Sequence, residues 1–151
     1  MLRIFIDADA CPVKDEVYRV AKRLDLEVLV VSNSWMRTPD SGRIRAVVVE
    51  QGADVADDWI AEHVETGDVV VSADIPLAAR CLEKGAAVLG PTGRPFTQDN
   101  IGDALASRDL MSQLRDVGMN TGGPPPLQKA DRSRFLQALD QILQRIKRET
   151  T

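Results

Sequence analysis

The chain has 151 residues, of which 28% are charged and 44% hydrophobic, with a formal net charge of −4. That length is enough for one domain with a buried core, and the composition excludes a disordered or fibrous chain. The acidic balance excludes the broadly basic surface of many nucleic-acid-binding domains, although arginines scattered through several loops leave local basic patches open.

The elements alternate from the start. LRIFID (2–7) reads as a buried strand, and Pro12 to Leu24 as a helix with Val13, Val17, Val20, Ala21 and Leu24 on one face. EVLVVS (27–32) and RAVVVE (45–50) read as the second and third strands, joined by the polar stretch SNSWMRTPDSGR (32–43). GADVADDWIAEHVE (52–65) reads as helix, DVVVSA (68–73) as the fourth strand, Pro76–Lys84 as helix and AAVLG (86–90) as a short fifth strand. Strands of near-continuous Val, Ile and Leu, separated by helices, predict a mostly parallel sheet of about five strands covered on both faces.

GPTGRPFTQDN (90–100) is punctuated by Gly and Pro and reads as loop. A helix is predicted from Asp99 or Asn100 to about Val117. The stretch GMNTGGPPPLQKA (118–130) reads as an irregular, extended segment. Asp131 is the expected cap of a last helix, 131–148, whose Phe135, Leu136, Leu139, Ile142, Leu143 and Ile146 make one apolar stripe. No repeat and no second domain are read, so 1–151 is taken as one domain. No apolar run approaches the roughly 20 residues of a membrane-spanning helix, and no leader is read. A cytoplasmic protein with Cys11 and Cys81 as free thiols is expected.

Ligands of open parallel sheets bind beyond the carboxyl ends of the strands. There the sequence places Asp7 and Asp9 after the first strand, Ser32 and Asn33 after the second, and Ser72 and Asp74 after the fourth. On the helix before the fourth strand, about 100° per residue puts Asp57 at the border of the face made by Val55, Trp59, Ile60 and Val64. Asp58 then points further outward and Asp54 starts the helix. Converging carboxylates need a cation or a proton between them, and oxygen ligands without histidine suit Mg²⁺ or Mn²⁺. His63, the sole histidine, is expected on the buried side of its helix as a packed residue.

Each acid also has a plainer role: Asp74 and Asp54 as helix caps, and Asp57 and Asp58 as first-turn acids. Cys11 before Pro12 offers a rival, a thiolate favoured by a helix start. A Cys-based phosphatase also needs an Arg six positions on, and position 17 is Val. An apolar strand followed by Asp-x-Asp is also how haloacid-dehalogenase-type phosphatases begin, which would make Asp7 a nucleophile. The Trp35 loop admits a non-catalytic alternative, a nucleic-acid-binding protein, or a dimer contact or packed lid.

IFIDADACPVKDEVYRVA, GADVADDWIA and GDVVVSADIPLAARCLEKGA, with FTQDNI and TGGP, resemble the YaiI/YqxD-like family of uncharacterised bacterial proteins over nearly the whole chain. That family is assigned to the PIN-like superfamily of metal-dependent nucleases, so the resemblance implies a three-layer, Rossmann-like α/β domain. The PIN pattern is an Asp closing the first strand, an acid on a middle helix and a Ser-x-Asp after the fourth strand; Asp7, Asp57 and Ser72-Ala73-Asp74 match it. A fourth PIN acid often follows the fifth strand, and Asp99, which falls late, is the nearby candidate for it. Asp9 is a feature of the narrower family. The resemblance implies Mg²⁺- or Mn²⁺-dependent hydrolysis of RNA, with Asp7, Asp9, Asp57 and Asp74 as ligands. Ser72 would hydrogen-bond a ligand or the attacking water. Lys14, Asn33, Arg37 and Arg80 are the candidates for substrate contact. The expected partners are RNA and, as a further option, a second copy of the chain.

Overall fold

The computed structural model describes residues 2–52, 54–116 and 127–150. These form six strands and five α-helices in the order β1 (Arg3–Asp7), α1 (Lys14–Leu24), β2 (Glu27–Ser32), β3 (Ile44–Val48), α2 (Val55–His63), β4 (Val69–Val71), α3 (Ile75–Glu83), β5 (Ala87–Leu89), β6 (Pro95–Phe96), α4 (Ile101–Asp116) and α5 (Lys129–Thr150). The sheet order is β3-β2-β1-β4-β5-β6, parallel except for β6.

Side-chain alternation explains why the strands carry no polar face. Ile4, Ile6, Val28, Val30, Val69 and Val71 point to one layer, where they pack with Val17 and Val20 of α1 and Phe135, Leu139 and Leu143 of α5. Phe5, Leu29, Val31, Val70 and Val88 point to the other, against Ile60 of α2 and Leu77, Ala78 and Cys81 of α3. Both faces are covered, so every strand position in the middle of the sheet is apolar. The result is a three-layer α/β arrangement.

The chain builds outward from β1 to β3 and then crosses back to place β4 on the other side of β1. In such sheets, the reversal opens a crevice at the carboxyl ends of the two strands on either side of it. Ile6 pairs with Val71, so the next residues, Asp7 and Ser72, end side by side at that crevice.

Several expectations are corrected. The loop read at 90–100 contains β6, which pairs antiparallel with β5 through Val88–Phe96 and Leu89–Pro95. Its proline is tolerated because β6 is an edge strand of two residues. The turn before it holds Gly93 at φ 89°, where a Cβ would lie 2.8 Å from the Arg134 backbone of α5. Asp131 does not cap α5; it sits in the first turn, and its Oδ2 accepts from the Gln128 N–H at 2.9 Å. A short acid inside the first turn reaches back to the preceding amide as readily as a cap reaches forward. His63 is exposed, not buried. Its ring stacks on Trp59 with centroids 3.9 Å apart, and the indole occupies the position between histidine and core. The Gly/Pro-rich residues 118–126 lie outside the described residues, and α5 starts directly after Leu127 and Gln128. Among the described residues, no helix is long and apolar enough to cross a membrane.

Candidate functional site

Asp7 is the last residue of β1 and only 9% exposed. An apolar strand ending under a packed layer leaves its terminal carboxylate short of water, so it needs a donor. Ser72 supplies one: its hydroxyl donates to Asp7 Oδ2 at 2.9 Å. The Asp7 carboxyl is raised from its ordinary range chiefly by burial, and further by the charges of Asp74 and Asp9; the Ser72 hydrogen bond opposes the shift.

Ser72 and Asp74 form a compact turn between β4 and α3. The Asp74 N–H donates to Ser72 Oγ at 3.0 Å. Asp74 then caps α3, its Oδ1 accepting from the Leu77 N–H at 2.9 Å, with Pro76 in the first turn where no amide is missed. The plainer reading of Asp74 as a cap is therefore met, but it uses one carboxylate oxygen.

The neighbour of Asp74 is Asp57, from the first turn of α2. Burial raises the Asp57 carboxyl to about 7, reinforced by the charges of Asp74 and Asp7 and by a hydrogen bond with Asp74. The charge of Asp74 thus favours the protonated form of Asp57, as a like charge nearby requires. Asp54, at φ 67° immediately before α2, makes no side-chain cap bond. The left-handed conformation costs an L-residue roughly 1–2 kcal/mol, least for Asp and Asn. The cavity here, about 260 Å³, is lined by Asp54, Asp57, Asp58, Asp74, Arg80 and Arg108 together with Pro76 and Leu77. A larger groove of about 1010 Å³ lies elsewhere, between α5 and the β5–β6 edge; among the described residues its lining is mostly apolar, with Glu149 the one acid.

The remaining predicted site residues divide. Asp9 is exposed, and its carboxylate faces β2: it accepts from Ser32 Oγ at 2.9 Å and from the Asn33 N–H at 3.0 Å. Asn33 in turn donates its side-chain amide to the Glu50 carbonyl. Lys14 donates to the Cys11 carbonyl at 2.9 Å and the Ala8 carbonyl at 3.4 Å, closing the β1–α1 loop. Arg80 is held at 2.7 Å by Asp58, which therefore forms part of the cavity wall instead of pointing freely outward. Arg37 is exposed on the β2–β3 loop, and Asp99 is exposed in the turn before α4, away from the cavity lining.

The donor set around Asp7, Asp57 and Asp74 is all oxygen, the chemistry that suits Mg²⁺ or Mn²⁺. Among the described residues, no three His, Cys, Asp or Glu side chains stand in an arrangement that holds a metal ion as they are.

The family model described as "Uncharacterized BCR, YaiI/YqxD family" matches residues 5–145. The chain belongs to the YaiI/YqxD family. Its relatives include the "UPF0178 protein amb2838" of Paramagnetospirillum magneticum, 57% identical over 98% of both chains. A "UPF0178 protein" of Parvibaculum lavamentivorans is 58% identical over 98% of this chain and 97% of its own length. Another, from Caulobacter vibrioides, is 57% identical over 96% and 95%. No solved structure matches the chain.

In this YaiI/YqxD chain the cavity residue that sequence reasoning missed is Arg108. It lies on α4, and no local motif marks it; the docking of α4 on α3 brings it to the acids. The thiol alternative loses its basis. Cys11 is buried and burial raises it to about 11, overriding the nearby Lys14 charge; Cys81 behaves likewise. At mildly alkaline pH each folded thiol is expected to alkylate about a hundredfold more slowly than a free cysteine. Iodoacetamide labelling followed by mass spectrometry of native and urea-unfolded protein measures this directly.

Proposed function

We propose that this chain hydrolyses phosphodiester bonds in RNA with Mg²⁺ or Mn²⁺ held by Asp7, Asp57 and Asp74, in the manner of PIN-like nucleases. The observation that carries the reading is the convergence of Asp57 and Asp74 on one small cavity, with Asp7 close enough for its charge to act on Asp57, at the crevice between β1 and β4. A structural ion pair does not need two acids in contact, whereas a cation site does. When bound, the metal supplies Lewis acidity toward the phosphate and lowers the pKa of its water.

The chain's own side chains do the positioning. Ser72 fixes Asp7 through its hydroxyl and Asp74 through the amide it accepts. Asp9 holds the carboxyl end of β2 beside β1 and acts as a support more than as a ligand. Arg80 and Arg108 stand at the cavity wall, where a phosphate would gain a charge-assisted partner. Arg80 leaves Asp58 to make that contact. The choice of RNA rests on the likeness to PIN-like nucleases. The haloacid-dehalogenase-like alternative needs Asp7 ionised and open to a phosphate; its burial and its hydrogen bond to Ser72 argue against that.

The test compares wild type with Asp7→Asn and Asp74→Asn on single-stranded RNA, with Mn²⁺ and with chelator. The expected result is metal-dependent cutting that both variants lose by about a hundredfold or more. Phosphate release from small phosphomonoesters without cutting of RNA would support the phosphatase, and binding without turnover the non-catalytic alternative.

A further inference from the structure

We infer that Trp35 is a stacking platform for an unpaired base of the nucleic-acid strand whose backbone enters the acidic crevice. This deepens the proposed function and rests on it. Among the described residues three large hydrophobic side chains are marked out by their exposure, and Trp35 is the most exposed of them at 75%. Its neighbour in sequence, Met36, is partly buried and packs against the core. The chain thus anchors one residue and presents the next.

The segment that carries Trp35 is unusual for its place. Residues 33–43 join two parallel strands, β2 and β3, without a helix. Parallel neighbours are ordinarily linked by a helical crossover, and long structureless connections in compact domains tend to be binding loops. This one is fixed at both ends. The Ser34 N–H donates to Ser32 Oγ at 3.1 Å, and Asn33 holds the Glu50 carbonyl at 3.1 Å. At the far end Arg43 pairs with Asp25 at 2.9 Å. An indole on a fixed footing loses little freedom on binding, which favours affinity.

The loop is also tied to the chemistry. Its first residues are gripped by Asp9, and Asp9 follows Asp7 on the turn after β1. Trp35 therefore sits on the β2 side of the crevice, and the Asp57–Asp74 pair on the β4 side. Arg37, two residues further along the same loop, is exposed as well and brings a cation to this segment. A flat aromatic face with an adjacent arginine suits a single strand, whose bases have free faces, and not a duplex, whose bases are covered by their neighbours.

Binding is measured in chelator, so that no turnover intervenes, with a fluorescein-labelled single-stranded RNA and its matched duplex. Tryptophan emission is followed in parallel. The expected result is quenching by the single strand that both Trp35→Phe and Trp35→Ala remove, since Trp59 alone then emits. The dissociation constant should rise about tenfold to a hundredfold in Trp35→Ala and stay near wild type in Trp35→Phe. The duplex should bind more weakly than the strand. Unchanged binding by Trp35→Ala overturns the inference. So does a loss of self-association in that variant, seen by sedimentation, with strand binding intact; Trp35 would then join copies of the chain. Trp35-dependent binding without metal-dependent cutting removes the catalytic reading and leaves the platform. Cutting with an unchanged KM in Trp35→Ala does the reverse.

Discussion

Asp57→Asn is expected to stabilise the metal-free protein while abolishing metal-dependent cutting of RNA. Asp57 titrates at about 7 in the fold, against an ordinary carboxyl value of 3.8. Between those values the folded state holds a proton that the unfolded chain has released. The native state then binds more protons, so stability falls as pH rises through this window. The contribution is fully present below about pH 4 and lost above about pH 7. Asparagine keeps a donor for Asp74 at every pH and brings no charge. Because Asp57 is partly exposed, solvent screening reduces the effect to on the order of 1–2 kcal/mol, or about 3–6 °C in Tm for a chain of this size. The gain should appear at about pH 8 and vanish near pH 4. Mn²⁺ should raise the Tm of wild type by mass action and do little for the variant. Equal stability of the two proteins at both pH values would mean that Asp57 carries no raised carboxyl.

Asp68→Ala is expected to have the opposite pair of effects, a large loss of stability with activity retained per folded molecule. Asp68 is fully buried at the start of β4, at the other end of the sheet from the acids. Its carboxylate accepts from the Arg3 amide at 3.1 Å, the Arg3 guanidinium at 2.9 Å and the Glu65 amide at 2.8 Å. Arg3 in turn lies 5.0 Å from the Phe5 ring and donates to the His63 carbonyl. Removing the carboxylate leaves two amides without their acceptor and the Arg3 cation with the His63 carbonyl and the more distant Glu65, which costs about 3–5 kcal/mol. In Tm this is about 10 °C, and urea denaturation should show a lower midpoint at an unchanged slope. Asp68→Asn keeps one acceptor and should fall between the two. A loss below about 1 kcal/mol would show that water replaces the carboxylate without penalty.

The legible and illegible parts of this molecule separate by the range of the interactions involved. The strands were legible from runs such as Glu27–Ser32, because a strand covered on both faces has no choice but to be apolar. Asp7 stood out for the same reason, as a charge closing an apolar run. Asp57 was legible through helical geometry, which places it beside the buried face. β6 was not, since two residues including a proline carry too little pattern to register. His63 was misplaced because rotation about the helix axis says which side a residue occupies, but not that Trp59 already fills the space there. Arg108 left no trace in the sequence, since only the docking of α4 brings it to the cavity.

The sequence by itself determined a parallel α/β sheet, the acids at its carboxyl edge and membership of the YaiI/YqxD family. Those depend on periodicity, composition and residue identity, which are properties of the chain. Tertiary structure alone decided which acids stand together. It turned Asp9 toward β2, tied Asp58 to Arg80 and set Asp57 against Asp74. The interaction of two charges changes steeply over a few ångströms, and those ångströms are fixed by how α2 and α3 pack on the sheet.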